Sequence, residues 1–143
     1  MTRFVLTLLV GLVVSLGALV SGGSGVALAG VLPEVSPEEQ YRFALGRVLQ
    51  NDLETGEEAF AEFLKVNKGH ERMADATLWL GRVQLMKGKY RESAHTFSLF
   101  NSKYPKNARL IDSTMWVAES VSHFAKPEQA CPVYDALINQ LPT

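Results

Sequence analysis

The side chains able to do chemistry in this chain are few and scattered. His70, His95 and His123 stand apart, none with a second His or a Cys at the spacing that places two ligands on one helical face around a metal ion. The single cysteine, Cys131, excludes an internal disulfide and has no adjacent His or Cys to lower its pKa toward a nucleophilic thiolate. No glycine-rich phosphate loop and no strained nucleophile turn occurs. The expectation is a protein without enzymatic activity, cofactor or metal. Cys131 reads as a packed small side chain, His70 as a loop residue and His95 as a solvated position on a helix face. Lys103, Lys106 and Arg109 read as a solvated basic cluster between helices.

What the chain does carry is a period. Shifted by 37 residues it aligns with itself without gaps between Ser36 and Thr143: Ala44, Gly81 and Ala118; Phe60, Phe97 and Tyr134; Phe63, Phe100 and Leu137; Lys68, Pro105 and Pro142. Gly56, Ser93 and Ala130 are small where two helices must cross closely, and an aromatic follows each of the first two one helical turn later, a tyrosine the third. The reading is three helix-turn-helix units over 37–73, 74–110 and 111–143, forming one domain at 36–143.

Local signals place the helices. Ser36-Pro37-Glu38-Glu39 is a capping box with proline at the first helical position. Tyr41, Leu45, Val48 and Leu49 follow at helical spacing, and Asn51-Asp52 turns the chain before Leu53. A second helix carries Phe60, Phe63 and Leu64 to the neighbourhood of Asn67, with Lys68-Gly69 as its stop. In the second unit the spacing predicts a helix from Met73 to Met86, a turn at Lys87-Gly88-Lys89, and a helix from Tyr90 to a stop at Tyr104-Pro105. The third repeats this with Ile111, Trp116, Val117 and Val121, a turn at Ala125-Lys126, and a helix ending near Leu141-Pro142. Pro132 breaks the pattern, because beyond the first helical turn it removes a hydrogen bond, so a kink or a late helix start is expected. No further helix covers the last one, so Leu137, Ile138 and Leu141 are expected to be partly uncovered.

The first 29 residues read as a signal peptide rather than part of the fold. Arg3 is followed by an apolar run from Phe4 to Val20, then a Gly/Ser patch, and Ala27-Leu28-Ala29 supplies small residues for cleavage before Gly30. The alternative for the same run is an uncleaved anchor. Either way the units lie outside the cytoplasm, and the absence of a cysteine at position 30 argues against a lipid anchor. The mature 114 residues carry 13 Lys and Arg against 15 Asp and Glu, a formal charge of −2, which implies neither a nucleic acid nor an anionic membrane as partner.

Leu80-Gly81, Gly88, Tyr90, Ser93, Phe97 and Pro105 resemble the tetratricopeptide signature, with Gln84 in place of the usual first-helix tyrosine. The implied fold is all-α, three such units forming a short right-handed solenoid. Within that superfamily, the signal peptide, the 37-residue unit, and the strings LWLGRVQLMKGKYRESAHTFSLFNSKYP and ACPVYDAL are similar to the periplasmic Tol-Pal-associated cell division coordinator family. The resemblance implies a periplasmic adaptor that binds the inner-membrane Tol component, with a peptidoglycan synthase as a further partner, and links outer-membrane constriction to septal peptidoglycan synthesis. Only Gly30 to Val35 separates the cleavage site from the first unit, which leaves no room for that family's trimerising coiled coil.

In such arrays the first helices line a concave surface. Read through the register, that surface comprises Glu38, Tyr41, Leu45 and Val48, then Asp75, Leu78, Arg82 and Leu85, then Asp112, Met115, Glu119 and Ser122. Its centre, around Tyr41, Leu78, Arg82 and Met115, suits a protein segment offering an apolar and an acidic residue. Alternatively, Glu38, Asp75 and Asp112 merely offset helix dipoles, and Leu78 and Met115 belong to the core. Two other functions remain open at this level: a self-associating structural array joined through the third unit, and an outer-membrane assembly factor.

Overall fold

The computed structural model describes residues 30–139; the expected signal segment, its cleavage site and Leu141 lie outside them. The described residues form six helices and no strand: α1 (Pro37–Leu49), α2 (Leu53–Val66), α3 (Met73–Met86), α4 (Tyr90–Lys103), α5 (Leu110–Ser122) and α6 (Pro127–Ile138). The protein is all-α. Among the described residues no helix is long and apolar enough to cross a membrane.

Local chemistry sets the boundaries. Ser36 Oγ accepts from the Glu39 N–H while the Glu39 carboxylate accepts from the Ser36 N–H, so α1 opens on the expected reciprocal cap. Asp52 Oδ1 accepts from the Thr55 N–H at the start of α2, and Asn51 before it takes φ 63°, a left-handed conformation that asparagine tolerates. Gly88 turns the chain between α3 and α4 at φ 72°.

Successive helices pack on one another, most sparsely at α5 and α6. The core has two parts. Tyr41, Ala44, Val48, Phe60, Phe63 and Val83 fill the first; Leu78, Phe97, Phe100, Val117, Val121 and Leu137 fill the second. Helix α3 contributes to both, since Val83 and Leu78 point to opposite clusters. Small residues fit the crossings: a Cβ on Gly56 would lie 2.6 Å from Val48 Cγ2, and one on Gly81 would lie 2.7 Å from the Phe97 ring. Among the buried polar groups, Ser93 Oγ donates to the Gly81 carbonyl (2.9 Å) and Thr96 Oγ1 to Gln84 Oε1 (2.7 Å), whereas Asn101 Oδ1 and the Tyr104 hydroxyl have no partner among the described residues.

Three expectations change. Cys131 is exposed rather than packed, because the small-residue face of α6 turns Ala130 inward and its neighbour outward. Of the two outcomes expected of Pro132, a kink or a late start, the late start does not occur: helix α6 opens at Pro127, whose missing N–H is no loss at the first position, and runs through Pro132. Leu137 is buried in the second cluster, while Ile138 is 63% exposed.

Candidate functional site

The candidate surface read from the first helices is organised by arginines laid over aromatic rings. Arg72 precedes α3 and Arg109 precedes α5, and neither helix start has a side-chain cap. Each arginine reaches the acid in the first turn of its own helix. Arg72 Nη1 donates to Asp75 (3.4 Å), and Arg109 Nε donates to Asp112 (2.8 Å). Arg72 also donates through Nε and Nη2 to both oxygens of Glu38 on α1, at 2.9 and 3.0 Å. This fork ties the start of α3 to the start of α1. It holds the Glu38 carboxyl below the usual carboxylate range and raises the Arg72 guanidinium further. His70 steadies the same corner, since its Nδ1 accepts from the Arg72 backbone N–H (3.2 Å).

Arg82 lies between the two tryptophans. Its guanidinium carbon is 4.7 Å from the Trp116 ring centroid and 5.6 Å from that of Trp79. Arg109 lies over Trp116 at 5.5 Å, and Arg72 over Tyr41 at 5.2 Å. Asp75, Leu78, Trp79, Arg82 and Arg109 line one concavity. Among the described residues no carboxylate lies within ion-pair distance of Arg82, whereas Arg72 and Arg109 both have one. Stacking uses the faces of a guanidinium and leaves its in-plane N–H donors free for a carboxylate.

The structure therefore brings Asp75, Leu78 and Arg82 to one place, with Asp112 at its edge through Arg109. Tyr41 and Leu78 retain only 7% and 2% of their exposure, so they shape the surface from beneath rather than offering side chains to a partner. Val48 is buried and Leu45 packs on the first cluster. Leu85 is part-buried, and Glu119, Ser122 and Met115 are exposed, Met115 at 65%. Met115 belongs to a different place, an apolar groove with Ala118, Tyr134, Leu137 and Ile138.

Sequence reasoning missed Arg72, and it placed Arg109 in a solvated basic cluster and Trp116 in the apolar spacing of the third unit. A signal was available: Arg72 and Arg109 share a register position, each three residues ahead of an aspartate, and Trp79 and Trp116 share another. His95 is exposed on α4, and the His123 ring stacks on Tyr90 at 3.9 Å between centroids. Among the described residues no three His, Cys, Asp or Glu side chains converge as metal ligands would.

No protein-family model matches this chain, and no curated protein matches it. The functional reading therefore rests on the residues and their geometry. The arrangement offers a cation backed by two indole rings, flanked by acids already committed to other arginines. It can recognise a carboxylate.

Proposed function

We propose that the chain is a tetratricopeptide-type array acting as a periplasmic adaptor of the Tol-Pal cell division coordinator kind. After signal cleavage behind Ala29, it docks the inner-membrane Tol component and helps couple outer-membrane constriction to septal peptidoglycan synthesis. A peptidoglycan synthase is the second expected partner. Its mechanism is holding rather than reaction: occupancy of the first-helix surface decides which envelope machines are kept together.

The observation that carries the array reading is the agreement between helix starts and buried positions. Leu53, Tyr90 and Pro127, each 37 residues apart, open α2, α4 and α6. The positions equivalent under that shift bury alike: Gly56, Ser93 and Ala130 at the crossings, and Phe63, Phe100 and Leu137 beneath them. The adaptor reading draws its support from Arg82, a cation held between Trp79 and Trp116 in a concavity and, among the described residues, without an acid of its own. An acidic residue of a partner completes that site.

Titration of the full chain with the periplasmic portion of the inner-membrane Tol component tests this. Saturable binding is expected, weakened roughly tenfold or more by Arg82→Glu, which replaces attraction by repulsion at a partly desolvated site. Absence of binding, or equal binding by the variant, overturns the assignment.

A further inference from the structure

We infer that Glu62 is a receptor for the amino group that signal cleavage creates on Gly30, so that processing itself fastens the residues ahead of α1 onto α1 and α2. This rests on the cleavage behind Ala29 proposed above.

The strap formed by residues 30–35 is held by apolar and polar contacts. Val31 and Leu32 pack on the first cluster. The Leu32 N–H donates to Glu62 Oε2 on α2 (3.1 Å), and the Pro33 carbonyl accepts from Gln40 Nε2 on α1 (3.0 Å). Gln40 is fixed in turn, its Oε1 accepting from Asn67 Nδ2 (2.8 Å). The strap is thus tied to both helices.

Glu62 has a second oxygen, and it faces Gly30. A Cβ on Gly30 would overlap Oε1 and lie 2.7 Å from Oε2. By covalent geometry the Gly30 nitrogen stands about 2.5 Å from that Cβ position, which puts it within about 4 Å of Oε1. Among the described residues no Lys, Arg or His lies within ion-pair distance of Glu62. Glu62 is half-buried and Gly30 is exposed, so a cation on Gly30 meets the carboxylate while keeping water on its outer side. Desolvation therefore costs little.

Cleavage changes the chemistry at this nitrogen. In the precursor it is a neutral amide with one N–H. Hydrolysis adds water across the Ala29–Gly30 bond: the Ala29 carbonyl carbon leaves as a carboxylate, and the Gly30 nitrogen becomes an amine. With an ordinary α-amino pKa of about 7.7–8.0, that amine is mostly an ammonium at neutral pH. It donates to Oε1 while the Leu32 N–H keeps Oε2, a charge-assisted contact that the precursor lacks. Glycine permits the approach, since a side chain at position 30 would collide with the carboxylate.

The test uses the full chain, exported and processed in a bacterial host, with the N-terminus of the product read from its intact mass. A serine inserted between Ala29 and Gly30 leaves the cleavage site whole but moves the ammonium outward by one residue, about 3.8 Å along the chain. Hydrogen exchange of the Leu32 amide reports whether the strap is fastened. The insertion is expected to speed that exchange roughly three- to fivefold, as for loss of a partly exposed ion pair, and about 1 M salt is expected to remove most of the difference. In a Glu62→Gln background the insertion is expected to change nothing, because the side chain still accepts from Leu32 but carries no charge. A product that begins elsewhere than at Gly30 would overturn the cleavage reading and this inference together. A product that begins at Gly30 yet is indifferent to the insertion, or responds to it equally in the Glu62→Gln background, would overturn the inference alone.

Discussion

At Gly81 the constraint is measurable in ångströms. An added Cβ would meet three atoms of the fully buried Phe97 ring between 2.7 and 2.9 Å, and that ring is itself held by Trp116. Gly46, also inside a helix, would meet nothing within 4 Å. The two glycines therefore respond oppositely to a larger side chain. Gly81→Val is expected to destabilise the fold by about 2 kcal/mol or more through overpacking, which outweighs any gain in helix propensity. Gly46→Ala is expected to stabilise it by roughly 0.5–1 kcal/mol, because only the propensity term changes. Urea unfolding midpoints at unchanged slope check both.

Helices were the most legible level of this chain. The start of α1 follows from Ser36 and Glu39, the turn before α2 from Asn51-Asp52, and the ends of α3 and α4 from Lys87-Gly88 and Tyr104-Pro105. These signals act within a few residues, so no tertiary information is needed to read them. Pro132 departs from the pattern as expected, and of its two expected outcomes the late start does not occur. Helix α6 continues through it to Ile138, although the ring removes one hydrogen bond to the Glu128 carbonyl and crowds that oxygen. Burial of Ala130 and Leu137 on either side holds the helix together across the break. Pro132 is exposed, so Pro132→Ala restores the hydrogen bond without disturbing the core. The expected gain is about 1–3 kcal/mol, read as a higher thermal midpoint with added helicity.

Across the whole molecule, equivalent junctions are joined by different chemistry. Between α2 and the α3–α4 turn, Lys87 pairs with Glu54 and Glu57, and Lys89 donates to Glu57 at 2.9 and 3.0 Å. One junction on, the positions of Glu54 and Lys87 are taken by Arg91 and Phe124, and the guanidinium lies over the ring at 4.4 Å. An ion pair has become a cation–π contact. The first junction therefore depends on pH in a way the second does not. Burial pushes the Glu57 carboxyl up, but hydrogen bonds from Lys87 and Lys89 outweigh it and hold it below the usual range. A carboxyl with a depressed folded pKa contributes stability that is present above its unfolded value, about 4.3, and lost as the pH falls through the folded value. Glu57→Gln is thus expected to lower Tm at neutral pH, and the gap from wild type is expected to close as the pH falls below the carboxylate range. A gap that persists into acid would show that packing, not charge, holds this junction.

The sequence by itself determined the helices, their turns and most of the positions that face inward, though not that of Cys131, because caps, glycine turns and apolar spacing act over one or two helical turns. It did not determine which inward positions would be covered. Leu78 and Met115 occupy the same place in their helices, and one is core while the other is surface, since among the described residues only Leu78 has a later helix laid against it. Nor could it pair Arg72 with Glu38, 34 residues away, or place Arg82 between Trp79 and Trp116. Those contacts depend on how close neighbouring helices approach and on where their long side chains then reach. The tertiary structure alone decided that a row of arginines would lie over aromatic rings, with Arg82 left unpaired among the described residues.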